Sequence, residues 1–149
     1  MRRAALLILC MTAAMAAVSA GPLSGRRVPS FALPDAKATY YDILDYRGKV
    51  VLVDFFARGW KIWEENLPQV QDLWNRYHAF GFEVVSICLE PNATGLEAQG
   101  LPWSVVAGAP ALTKPLGIFG ETTSYLLDQN GMVIARDLRG QDLAFAVRR

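Results

Sequence analysis

Hydrophobic and polar positions along the chain change period several times, and each change marks an element. From Lys49 to Ala57 the stretch KVVLVDFFA is an unbroken β-branched and aromatic run holding a single acid. That is the pattern of a strand covered on both faces, and so of a central strand. After Arg58-Gly59 the spacing turns helical: Trp60, Trp63, Leu67, Val70, Trp74 and Tyr77 recur every three or four residues, and Leu73 widens the stripe. A long amphipathic helix is expected, ending near Gly81. Pro68 should kink it, because proline removes one backbone donor and crowds the preceding turn. Glu64 and Glu65 near the helix start suit the positive end of its dipole. Phe82 to Leu89 (FEVVSICL) is a second buried strand, completing a βαβ unit with an expected right-handed crossover.

Around this unit the pattern is shorter in range. Residues 21 to 48 are rich in turn formers (Pro22, Pro29, Pro34, Gly48) around extended pieces such as Ser30-Phe31-Ala32-Leu33, which predicts a lead-in with a small hairpin beside the core. Residues 90 to 100 predict a polar loop or a frayed helical turn. Trp103 to Val106 predicts a short strand, and Ala109 to Leu116 a short helix interrupted by two prolines. Ser124 to Leu127 and Met132 to Arg136 flank Asp128-Gln129-Asn130-Gly131, a strong hairpin signal. Gln141 to Arg149 predicts a short closing helix, and no repeat or low-complexity segment is present.

The first twenty residues have a different character. Met1-Arg2-Arg3 is a positive start, Ala4 to Ala17 is apolar, and Val18-Ser19-Ala20 places small residues before Gly21. This predicts a cleavable secretory signal over residues 1–20 and one domain over 21–149, located in the periplasm or secreted from a bacterial cell. The apolar run falls short of the roughly 18 residues a spanning helix needs, so membrane attachment is expected only if the leader stays uncleaved. Leu9 before Cys10 argues against a lipoprotein.

Composition narrows the function without choosing it. With 149 residues, 52% hydrophobic and 19% charged, the chain suits one compact domain rather than a disordered, collagenous or coiled-coil one. The formal charge of +1 becomes −1 once Arg2 and Arg3 leave with the leader, and no basic run offers a nucleic-acid surface. Cys10 lies in the leader, so the mature chain holds Cys88 alone and no internal disulfide. His78 has no second histidine and no cysteine cluster with which to form a metal site or a triad. Asn92-Ala93-Thr94 fits a glycosylation sequon, more simply a polar loop, and no glycine-rich phosphate loop occurs. No cofactor is expected.

The order of elements, together with DYRGKVVLVDFFA, the proline-containing helix and SYLLDQNG, resembles the thioredoxin superfamily, in particular its exported TlpA/ResA-type members, over nearly all of the mature chain. The resemblance implies an α/β, thioredoxin-like fold: a central mixed sheet flanked by helices, with an N-terminal hairpin extension. In that family a Trp-Cys-x-x-Cys motif opens the helix five residues before its proline. Counting back from Pro68 puts the cysteine positions at Trp60 and Trp63 and the family tryptophan at Gly59. The family's cis-proline falls on Thr122 in TTSYLLD, and the Glu121-Thr122 bond is expected to be trans, since a cis bond before a residue other than proline costs about 2.5–4 kcal/mol.

Thiol–disulfide exchange needs a low-pKa thiolate to attack and a second thiol to resolve the mixed disulfide, and indoles do neither. No catalytic residue is therefore assigned. Trp63 is expected to pack in the core, while Trp60 is a candidate aromatic platform in a groove of Gly59, Trp60, Glu121 and Thr122, open to an unidentified protein or peptide. Asp54 matches the family's buried acid; it reads as a buried carboxylate held by water or side-chain donors, the sharper alternative being a hydrogen bond from the Trp63 indole. Cys88, inside a strand, is expected to act as a small inert hydrophobe. Two functional readings remain: a redox-inactive binding or structural module, or a thiol–disulfide oxidoreductase by descent, with a decayed copy as a third.

Overall fold

The computed structural model describes residues 25–26, 32–34, 40–90, 93–107, 113, 118 and 123–148. A two-stranded antiparallel sheet, β1 (Ala32–Pro34) with β2 (Tyr40–Asp42), forms the lead-in, with the expected hairpin pairing. Asp42 ends it by accepting a hydrogen bond from Leu44 N–H at 2.9 Å, which starts a 3-10 turn over Ile43–Tyr46. The main sheet holds β3 (Val50–Phe56), β4 (Phe82–Cys88), β5 (Ser104–Val106), β6 (Thr123–Leu127) and β7 (Val133–Arg136) in the order β5-β4-β3-β6-β7. β4 runs parallel to β3 and to β5, whereas β6 pairs antiparallel with β3 and with β7, so the sheet is mixed. The KVVLVDFFA run is its middle strand.

Helix α1 (Lys61–Tyr77) and the short α2 (Gly140–Val147) pack on the sheet. Alternation along the strands divides the core. Val51, Val53, Phe55, Val85, Ile87, Tyr125 and Leu127 pack together on one side with Ile43 and Ile118. Leu52, Val84 and Leu126 pack against Val70 and Leu73 of α1 and Leu143 and Val147 of α2. The residues of the helical stripe are buried or half-buried as the period predicts, except that Trp60 precedes the helix as its N-cap. The helix ends with the stripe at Tyr77, short of the expected Gly81: His78 to Phe80 tighten into a 3-10 turn, closed by Gly81 at φ +92°.

Two contacts at the same sequence separation hold α2 against α1. The Gln69 side chain donates to Gly140 O at 2.5 Å and accepts from Gly140 N at 2.8 Å, while Arg148 Nε donates to Tyr77 Oη at 3.1 Å. A constant offset of 71 residues at both ends means that the two helices run in the same direction.

The β6–β7 turn follows its sequence signal. Asp128 Oδ1 accepts from Asn130 N and Met132 N at 2.8 and 2.9 Å, and Gly131 N donates to Asp128 O. Beyond β7, Asp137 adopts a left-handed backbone at φ 53°. It is held there by reciprocal bonds: its N–H donates to Ser124 O, its Oδ1 accepts from Ser124 N, and its Oδ2 accepts from Arg136 Nε, each at 2.9 Å. The polar stretch after β4 contains a 3-10 turn at Leu96–Gln99. Apart from Thr113, which lies in a turn, the helix expected at Ala109 to Leu116 lies outside the described residues, as does the leader at 1–20. Among the described residues no helix is long and apolar enough to cross a membrane.

α1 runs continuously through Pro68, whose side is exposed to solvent. Interior proline leaves the carbonyl four residues earlier without its helical donor. Pro68→Ala restores that donor and is expected to raise stability by about 1–3 kcal/mol, read as a higher urea midpoint with an unchanged slope. An unchanged or lower midpoint would mean that neighbouring contacts depend on the proline geometry.

Candidate functional site

The junction of β3 and α1 is built by a tight turn. Trp60 N donates to Ala57 O at 3.2 Å, and Gly59 takes φ +80°, which a side chain would strain. This gives a backbone reason for glycine at 59. Trp60 then caps the helix from outside, its carbonyl accepting from Trp63 N and Glu64 N, both at 3.1 Å. Its side chain is half-buried and packs against the cluster of Phe56, Trp63, Cys88, Leu96 and Val105. Trp60 thus combines contact with the core and contact with solvent.

A clasp that the sequence reading missed fixes this turn from the neighbouring strand. Glu90, just beyond β4, accepts from Arg58 N–H and from Arg58 Nε, each at 2.7 Å, with the guanidinium Nη2 at 2.6 Å. Leu89 N also donates to Phe56 O at 2.8 Å. The hydrogen bonds from Arg58 hold the Glu90 carboxyl below the usual carboxylate range, and Glu90 in turn raises the Arg58 guanidinium. Two residues 32 apart in sequence carry no local signal for such a pair.

Trp63 turns inward, 7% exposed, and stacks on Phe56 with ring centroids 3.9 Å apart and planes within 7°. Its Nε1–H donates to Asp54 Oδ2 at 2.7 Å, the sharper of the two readings the sequence left for Asp54. Asp54 lies in the middle of the central strand, paired in register with Ser86 of β4 and Ser124 of β6. It is 6% exposed, and its Oδ1 has no hydrogen-bond donor in good geometry. Burial pushes the carboxyl up from 3.8 to about 6, against the smaller opposing pull of the Ser86 hydroxyl and the Trp63 indole. Ser86 itself accepts from Trp103 Nε1 at 2.8 Å, a second buried indole, which the sequence pattern put at the start of the strand and the structure puts one residue before β5.

Cys88 ends β4 fully buried in the same cluster, with a free thiol that burial raises above its ordinary value. This is the opposite of what a reactive thiolate requires. His78 lies away from the junction, stacked on Trp74 at 4.2 Å, with Nδ1 3.5 Å from Glu83 Oε2. Among the described residues no three histidine, cysteine, aspartate or glutamate side chains could hold a metal together. Of the four residues of the candidate groove, Gly59 and Trp60 adjoin at the turn, whereas Glu121 and Thr122, with the bond expected to be trans, lie outside the described residues.

Residues 24–136 match the model of the AhpC/TSA family. The thiol–disulfide oxidoreductase ResA of Bacillus thuringiensis subsp. konkukian is 24% identical over 125 residues, covering 78% of this chain and 70% of that protein. ResA of Geobacillus thermodenitrificans is 28% identical over 114 residues, covering 73% and 66%. The thioredoxin domain of a thiol–disulfide oxidoreductase from Bacteroides vulgatus superposes with a TM-score of 0.75 at 24% identity over 84% of this chain and 95% of that one. A thiol:disulfide interchange protein from Bacteroides sp. gives a TM-score of 0.72 at 24% identity, over 84% and 88%. The fold is thioredoxin-like.

The raised Asp54 carboxyl makes a signed prediction. A group bound more tightly to its proton when folded contributes stability that is complete below pH 3.8 and is lost as pH rises through about 6. Asp54→Asn keeps an oxygen for the Trp63 indole and removes the buried charge. It is expected to be more stable than the unsubstituted protein by up to about 3 kcal/mol above pH 7, with the advantage vanishing toward pH 4. Denaturant midpoints of both proteins across that range check this, and a pH-independent difference would contradict it.

Proposed function

The chain belongs to the AhpC/TSA family and has a thioredoxin-like fold, and from that premise we propose that, unlike the thiol–disulfide oxidoreductases it resembles, it carries no thiol–disulfide exchange of its own and acts as an exported binding module. One observation supports this reading above the rest: Trp63, at the position where the resemblance places the second family cysteine, is packed on Phe56 and hydrogen-bonded to Asp54. Trp60 stands at the first position, and the only cysteine after the first twenty residues is the buried Cys88. An attack on a disulfide would need a thiolate at the helix start and a resolving thiol beside it. An indole ring there offers apolar area and a donor, which serve packing and recognition instead.

In this reading the half-buried Trp60, next to Gly59 at the turn, is the contact residue for a protein or peptide segment with an apolar side chain, with Glu121 and Thr122 as the further candidates from the sequence. The positive start, apolar run and Val18-Ser19-Ala20 ending of the first twenty residues support export to the periplasm or beyond. The competing reading, an active oxidoreductase, has the family's chemistry in its favour and would have to work through Cys88, whose burial opposes it.

Insulin reduction in the presence of dithiothreitol separates the two. No turnover above the reductant alone is expected, with or without Cys88→Ser, and sustained turnover would overturn the redox-inactive reading. The W60C/W63C double substitution is expected to bring back only part of the activity of a ResA-type enzyme while Thr122 is kept, and full recovery would show that the proline position matters little. For the binding reading, a partner captured by the mature chain should be lost with Trp60→Ala. Equal capture by both would remove Trp60 from the contact.

A further inference from the structure

We propose that Asn130 is a site of spontaneous modification, converted through a cyclic imide to aspartate and isoaspartate, and that Asp128 sets the rate by holding the β6–β7 turn closed. The site is separate from the surface around Trp60 and does not depend on what that surface binds.

The fold itself creates the reactive pair. Of the asparagines Asn66, Asn75, Asn92 and Asn130, the last alone is followed by glycine. Imide closure brings the next residue's backbone nitrogen onto the asparagine side-chain carbon, and a Cβ on that next residue crowds the approach. Gly131 has none, and the hairpin demands glycine there, because the position takes φ +77°. Asn130 is exposed, and among the described residues its side-chain amide makes no hydrogen bond, so it is free to turn toward Gly131. Asn66 and Asn75 lie inside α1, where the helix holds the following N–H.

In the reaction the Gly131 nitrogen gives its proton to base and attacks the Asn130 side-chain carbon. A new C–N bond forms, the bond to the amide nitrogen breaks, and ammonia leaves with the proton. Water then opens the imide at either carbonyl, leaving aspartate or isoaspartate, so one water is consumed for each ammonia released and no electrons change hands. Isoaspartate carries the main chain through one extra carbon, and either product places a second carboxylate beside Asp128.

The native turn opposes the attack. Gly131 N donates to Asp128 O at 2.9 Å, which fixes the attacking nitrogen and its proton. Asp128 Oδ1 accepts from Asn130 N and Met132 N at 2.8 and 2.9 Å, and Asp128 N donates to Met132 O at 2.9 Å. One residue thus clamps both sides of the reacting pair with its N–H, its carbonyl and its carboxylate.

The test incubates the folded protein in mildly alkaline buffer and follows each asparagine-containing peptide by mass spectrometry, separating aspartyl from isoaspartyl products. Conversion at Asn130 ahead of Asn66, Asn75 and Asn92, with both products formed, is expected. Unfolding the same protein in guanidinium chloride should speed it ~10- to 100-fold, as one or two turn hydrogen bonds are released. Asp128→Ala should move the folded rate toward that of the unfolded chain, whereas Asp128→Asn, which keeps an oxygen for both N–H groups, should stay near the unsubstituted rate. If Asp128→Ala fails to fold, the native-against-unfolded comparison and Asp128→Asn decide the matter. Faster conversion at another asparagine, aspartate formed without isoaspartate, equal rates in folded and unfolded protein, or a folded Asp128→Ala no faster than the unsubstituted protein would overturn the proposal.

Discussion

A carboxylate in the middle of a sheet must find a donor, and this constraint organises the junction of β3 and α1. Asp54 is fixed by the register of the central strand, so its partner has to reach it from above, and the partner is the Trp63 indole at 2.7 Å. For that ring to lie flat on Phe56 while its N–H points at Asp54, the first turn of α1 must sit close over the strand end. The glycine turn at 59 and the Arg58–Glu90 clasp both serve this placement, one by allowing the chain to reverse tightly and the other by tying the turn to the end of β4. Packing, hydrogen bonding and backbone conformation here are one arrangement rather than three independent ones.

The same solution recurs elsewhere. Trp103 donates to Ser86 and Trp74 donates to Glu83, so three indoles each place a donor on a side-chain acceptor of the sheet while their rings add apolar area. Glu83 gathers Lys49 and His78 as well, each at 3.5 Å, which explains how an acid is accommodated in the otherwise apolar strand FEVVSIC. Outside the first twenty residues Cys88 is the sole cysteine, and the fold instead relies on bifunctional aromatic side chains to tie α1 and the segment before β5 to the sheet.

What was legible in the sequence follows the range of the interactions. Strands β3 and β4 announced themselves by continuous apolar runs, the β6–β7 turn by Asp-Gln-Asn-Gly, and α1 by its stripe, because each depends on residues close together in the chain. The Trp63–Asp54 bond was also within reach, since a strand and the helix that follows it bring positions nine apart together. Arg58–Glu90, Gln69–Gly140 and Trp103–Ser86 were not, because they depend on strand order and on the relative placement of α1 and α2. Trp60 illustrates a finer limit: its spacing belongs to the stripe, but hydrophobic period cannot tell the last residue before a helix from the first residue within it.

Asp137 has a consequence for how the sheet tolerates change. Its left-handed backbone is costly for any residue with a side chain, yet that side chain moors the first rung of β6 through Ser124. Local comfort and long-range anchorage therefore pull in opposite directions at one position. Glycine would ease the bend and cast the strand loose, whereas asparagine, which tolerates the bend and keeps an oxygen for Ser124, comes nearest to preserving both. The alignment of β6 is thereby governed from beyond the far end of β7, so drift in that corner would propagate along the shared edge toward Asp54.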